Sequence, residues 1–201
     1  MKKTTIAIGL LSLLALGATN VDAAVATDKK TAEFEITENE GGTLLITATT
    51  LNFGQHTITP NEIKGSATVD SSIKVTEFSG DKPGWNLTVS MAPFEDDKSN
   101  VATGTRLFFP QVTPTTTTGG DAPANAPTTE NADDSFEGTL KGRIVESDNS
   151  PAKLGSATAG KGFGEWTMSY SGANRAQFSV PSGQKVGKYS SVLTYTVNDT
   201  I

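Results

Sequence analysis

His56 is the chain's one histidine, and no cysteine accompanies it. Acid–base and nucleophilic catalysis near neutral pH draw heavily on those two side chains, framed by partners that tune them. His56 lies in the run Phe53-Gly54-Gln55-His56-Thr57-Ile58. That run reads as a strand or its entry, so a surface or satisfied core histidine is expected. No Gly-x-Ser-x-Gly elbow frames a serine, and no His/Cys cluster has metal-ligand spacing. The carboxylates offer another chemistry. Glu95-Asp96-Asp97 with Asn100, and Asp133 and Asp134 with Glu137, present hard oxygen atoms of the kind calcium takes. Neither set has the glycine and closing glutamate of an EF-hand loop, so solvated loop carboxylates are expected. The chain reads as a non-enzyme, with no catalytic residue, metal or cofactor.

Aromatic and apolar residues spaced two apart are the second candidate chemistry. Trp85 and Leu87 stand in Gly84-Trp85-Asn86-Leu87-Thr88-Val89. Tyr189, Leu193, Thr194, Tyr195 and Val197 stand in a later run, Gly187 to Val197. On a strand, residues two apart share a face. Trp85 and Leu87 then point one way and Asn86 the other. Tyr189, Leu193, Tyr195 and Val197 likewise share a face. Two roles follow. The residues form inward faces of one core, or they touch a ligand directly, because aromatic faces stack on sugar rings and tyrosine hydroxyls bond to them. Tyr195 in a core needs a polar partner or an opening to solvent.

The elements that would carry these residues are strands. Apolar alternation marks Phe34 and Ile36, Leu44 to Thr49, Leu51 to Thr59, and Val69 to Val75. It recurs at Trp85 to Met91, Leu107 to Val112, Trp166 to Tyr170, Ala176 to Val180, and Tyr189 to Val197. Such period-2 runs signal half-buried strands. Turn chemistry separates them at Glu40-Gly41-Gly42, Gly80-Asp81-Lys82-Pro83-Gly84, Ser171-Gly172 and Pro181-Ser182-Gly183. No stretch after the amino terminus keeps a helical period. The expectation is an all-β chain with a single β-sandwich-like domain over 33–201. Residues 113–135 are rich in Thr, Ala and Pro with no large apolar side chain, and read as a long mobile loop.

The amino terminus has a different pattern. Lys2 and Lys3 precede an apolar stretch from Ile6 to Leu16, then small residues. This is the form of a secretory signal peptide over 1–23, cut after Ala23 or else after Ala26. Residues 24–32 read as a flexible segment. No cysteine follows for a lipid anchor, and no LPxTG-like tail is present for covalent wall attachment. Without residues 1–23 the chain keeps 14 basic and 21 acidic side chains, a net charge of −7. That balance argues against nucleic acid, whose phosphates require a basic face.

The two motif segments together resemble the WxL family of Gram-positive surface proteins. In that family a proximal Trp-x-Leu is followed about a hundred residues later by a distal Tyr-x-x-x-Leu-Thr-Trp-x-Leu. Trp85 and Leu87 match the first motif; Tyr189, Leu193 and Thr194 match the second, with Tyr195 and Val197 in place of its last tryptophan and leucine. The segment Phe178-Ser179-Val180-Pro181 with Gly187 also looks like the family. The resemblance implies a secreted protein attached non-covalently to the cell wall, through peptidoglycan or another wall polymer, with both motifs required. It also implies partners among other WxL proteins and a membrane-anchored companion. The alternative expectation is a carbohydrate-binding or host-matrix adhesin module.

Overall fold

The computed structural model describes residues 44–79, 81–116 and 123–199. The expected signal peptide 1–23, the segment 24–32 and the alternation at Phe34 and Ile36 lie outside the described residues. No helix among the described residues is long and apolar enough to cross a membrane.

Strands dominate. In chain order they are β1 (Leu44–Ala48), β2 (Ile63–Ser66), β3 (Ser71–Glu77), β4 (Trp85–Met91), β5 (Arg106–Pro110), β6 (Thr128–Thr129), β7 (Asp133–Asp134), β8 (Lys141–Glu146), β9 (Ala152–Ala157), β10 (Gly164–Tyr170), β11 (Gln177–Val180) and β12 (Leu193–Asp199). They pair antiparallel in three sheets, ordered β1-β3-β10, β2-β11-β5-β8-β7 and β12-β4-β9-β6. The only helical pieces among the described residues are short 3₁₀ turns at Pro123–Asn125 and Gly172–Asn174. The all-β expectation holds.

One apolar core draws on every sheet. β3 gives Ile73 and Val75, β10 gives Met168 and Tyr170, β5 gives Leu107 and Phe109, and β4 gives its whole inner face. Phe109 meets Tyr170 edge-on at 5.4 Å between ring centroids, linking the first and second sheets. The sequence contains no cysteine, so no disulfide supplements this burial, which at about 25 cal/mol per Å² of apolar surface is the main source of stability.

Several strands differ from expectation. Leu51 to Thr59 is not a strand: Gly54 at φ +74° turns the chain, and Phe53 and His56 fold back onto the Phe178 ring at 5.0 and 4.7 Å. His56 Nε2 donates to the Phe53 carbonyl at 2.7 Å. Val69 is 51% exposed and lies before β3. The last strand starts at Leu193, so Tyr189 is outside it. Three further strands are not marked by the residue pattern: β2 (IKGS), β8 (KGRIVE) and β9 (AKLGSA), and burial alternates along β2 alone of the three. In β9 a bulge opposite Leu87 and Thr88 buries both Leu154 and Gly155, which breaks the period of two.

The described parts of the segment 113–135 make contacts with the neighbouring strands. Thr115 exchanges two backbone hydrogen bonds with Thr167 of β10, at 2.9 and 2.8 Å. β6 pairs with β9, and β7 pairs with β8. The segment thus reaches all three sheets. Hydroxyl bonds add to the backbone ones, as Thr129 Oγ1 donates to Val112 O at 2.7 Å and accepts from Val112 N at 3.1 Å, and Pro114 and Pro127 are buried. Residues 117–122 lie outside the described residues.

Candidate functional site

β4 carries the proximal motif on a strand whose residues alternate between buried and half-exposed. Trp85, Leu87, Val89 and Met91 have no exposed surface. An indole buried this deeply needs an acceptor for its N–H. Trp85 Nε1 donates to Gly162 O at 3.2 Å. Gly162 has φ +75°, and a Cβ there would stand 2.4 Å from Ala157 Cβ and 2.7 Å from Trp85 Nε1. Glycine is what lets backbone and indole approach so closely. The second tryptophan repeats the device: Trp166 Nε1 donates to Phe163 O at 3.0 Å. The two indoles therefore hold consecutive carbonyls of the turn that leads into β10.

The distal motif lies beside the proximal one. β12 pairs with β4 along its whole length, with Leu193 opposite Met91, Tyr195 opposite Val89 and Val197 opposite Leu87. Leu193, Tyr195 and Val197 are half-buried and packed on the core. Thr194 and Thr196 point the other way and are exposed. Burial pushes the Tyr195 phenol up to about 12. Burial, and then the nearby Tyr195, also raises Tyr170. Tyr195 as a whole residue stays half-buried.

Tyr189 is the motif residue the strand does not hold. The ladder continues one bond past β4, from Ala92 N to Val192 O at 3.0 Å. Pro93 then has no N–H to offer. Pairing resumes out of step at Glu95 and Ser190, which exchange two backbone bonds of 2.9 Å each. Ser191 Oγ donates to Ala92 O at 2.6 Å, and Tyr189 Oη donates to Lys185 O at 2.9 Å. Gly187 makes room here, because a Cβ would lie 2.8 Å from Asp96 Oδ2.

The candidate calcium carboxylates serve local structure. Asp96 accepts from Asn100 Nδ2 at 2.8 Å and from the backbone N–H groups of Asn100 and Lys98 at 2.8 and 2.9 Å. The Asn100 side chain is the main cause holding its carboxyl below the usual range. Asp133 accepts from Ile144 N at 2.8 Å and pairs with Arg143. Asp134 pairs with Lys141 at 2.6 Å. No group of three or more His, Cys, Asp or Glu among the described residues is arranged to hold a metal ion.

One surface cluster has no signature in residue spacing. At the end of the sandwich, Phe78 and Phe163 meet edge-on at 5.6 Å. The Lys82 ammonium lies 4.8 Å over the Phe163 ring. Phe78 follows β3 and Phe163 precedes β10, so only the pairing of those two strands brings the rings together.

The model of the WxL domain, described as surface cell wall-binding, matches residues 19–200. No curated protein and no solved structure matches the chain.

Proposed function

Since the chain belongs to the WxL domain family of surface cell wall-binding proteins, we infer that it is a secreted, non-enzymatic protein that attaches without a covalent bond to the peptidoglycan of a Gram-positive wall. The observation that carries the mode of attachment is the burial of the motifs. Trp85 and Leu87 expose nothing, and Leu193, Tyr195 and Val197 back them on the neighbouring strand. A side chain without accessible surface cannot stack on a sugar. The motif strands act as the frame of the binding domain, and the wall is met by surface loops that this frame holds. A need for both motifs follows directly, because each is half of one ladder.

The acidic balance of the chain disfavours attraction to anionic wall polymers, which supports shaped contacts with glycan or peptide. Assembly with other WxL proteins and a membrane-anchored companion is part of the same reading.

Sedimentation with purified insoluble peptidoglycan tests it. Residues 24–201 should move to the pellet and return to the supernatant when muramidase digests the wall. Protein that stays soluble throughout, yet binds host glycans on an array, would replace this reading with the adhesin alternative.

A further inference from the structure

At one end of the first sheet the outward side chains are hydroxyls. On β3, Ser71 and Ile73 are buried, and Ser72 between them is half-exposed. Ser169 of β10 stands directly across from Ser72 and is exposed, between the buried Met168 and Tyr170. Thr49 continues β1 by one residue. Its N–H donates to Ser72 O at 3.0 Å, and its Oγ1 accepts from Ser72 N at 2.8 Å. Thr49, Ser72 and Ser169 therefore stand abreast, about 4.8 Å apart from strand to strand.

Two loops turn this row into a cleft. Asp70 immediately precedes β3 and Ser171 immediately follows β10, and with the row they line a cavity of about 290 Å³. Asp70 Oδ1 accepts from Arg175 Nε at 2.8 Å and from Gly172 N at 3.4 Å. These bonds tie the β2–β3 loop to the β10–β11 loop and fix the mouth of the cleft. Asp70 Oδ2 and the hydroxyls of Ser72, Ser169 and Ser171 have no hydrogen-bond partner among the described residues. Thr49, Asp70, Ser169 and Ser171 are all exposed, so an incoming molecule can reach them. Ser71 lies in the floor with its hydroxyl sealed from solvent and takes no part.

We propose that this cleft is a saccharide subsite that takes one uncharged hexose residue of the wall glycan through its hydroxyl groups. The proposal rests on the peptidoglycan reading above and gives it a location among the surface loops. Every side chain lining the cleft is polar, so recognition runs through hydrogen bonds. A serine or threonine hydroxyl donates once and accepts twice, which is also the capacity of a sugar hydroxyl. Asp70 Oδ2 adds an ionised acceptor, and such bonds are the stronger kind. The Asp70–Arg175 pair leaves no net charge to hold an anion or a cation, which selects a neutral polyol. The volume stands at the lower end of ligand pockets, about 300–1,000 Å³, and gives room for one sugar residue.

Ser169→Ile fills the cleft from an exposed strand position, where a β-branched side chain suits the backbone. Asp70→Asn keeps the shape of the acid and removes its charge. Both are assayed by insoluble-peptidoglycan sedimentation and by calorimetric titration with a soluble N-acetylglucosamine tetrasaccharide. Both should melt like the parent. Ser169→Ile should abolish the tetrasaccharide response and weaken sedimentation. Asp70→Asn should bind the tetrasaccharide about tenfold more weakly, the loss of one hydrogen bond to a charged group. If Ser169→Ile melts early, Asp70→Asn decides on the same readouts. Parental sedimentation by both variants, or no tetrasaccharide response in a parent that sediments, overturns the subsite and leaves the peptidoglycan reading standing. A tetrasaccharide response that the variants lose, in a parent that does not sediment, keeps the subsite and removes that reading. Failure of both probes with the parent removes both.

Discussion

Val197 lies directly across from Leu87 in the ladder between β12 and β4, with Val197 packed on the core that Leu87 lines. Two segments far apart in sequence are thus one surface in space. Family motifs that look like two contact points are two halves of one sheet, and mutations in either should act first on folding.

Trp85→Ala removes a fully buried indole and its bond to Gly162. It should cost about 3–5 kcal/mol, read as a lower thermal midpoint by circular dichroism. Peptidoglycan binding should fall in step with the folded fraction. A variant that melts normally and no longer sediments would instead make Trp85 a contact residue.

Thr194→Ala is the complementary case, since Thr194 is a motif residue on the exposed face of β12. Its effect on stability should stay within about 0.5 kcal/mol, and sedimentation with peptidoglycan should be unchanged. A selective loss of binding here would move the contact surface onto the outer face of β12.

Gly162→Ala should destabilise by more than about 1 kcal/mol, because it joins a disfavoured positive φ to a steric clash. The added Cβ meets Ala157 and the Trp85 ring nitrogen. A shift in the urea midpoint with an unchanged slope would confirm a loss of native stability.

Thr129→Val keeps the shape of a buried side chain and removes its hydroxyl. The Val112 N–H and C=O then lose their partner, at a cost of about 1–3 kcal/mol. The same denaturation experiment reads it. A neutral result would mean that the 113–135 segment contributes little to the fold.

Alkali should unfold the domain through its tyrosines. The folded Tyr195 holds its proton up to about 12 against an ordinary value of 10.0, and Tyr170 is raised as well. Below pH 10 both folded and unfolded states are protonated, and stability is at its full value. As pH rises from 10 towards 12 the unfolded chain ionises first, and stability falls by about 1.4 kcal/mol per pH unit for each tyrosine. Tyr195→Phe should flatten that decline when melting is followed across this range.

How much of this was legible beforehand depended on burial pattern. Trp85 to Met91 and Trp166 to Tyr170 alternate because each has one face in the core, and that pattern is readable from residue types alone. β8 and β9 were not legible. Their glycines, Gly142 and Gly155, sit where a Cβ would strike a neighbouring backbone at 2.1 and 2.6 Å, so close strand approach selected residues that look like turn formers. Tyr189 misled because Pro93, just past the end of β4, interrupts the ladder before it resumes out of step at Glu95 and Ser190. Of the candidate site, the shared face of each motif could be read, but not their adjacency. The Phe78–Phe163 pair could not be read at all, since it exists only once β3 and β10 have paired.

The pairing of β4 with β12 also sets a timetable. A chain is made from its amino end, so β4 emerges long before the strand that covers its flank. Until residues 193–199 arrive, β4 offers an open, apolar edge to any other strand nearby. Pairings this distant make folding slow, on the order of milliseconds to seconds for all-β domains. Completion of the core therefore waits for residues 193–199, and the chain cannot close its fold until nearly all of it has been made.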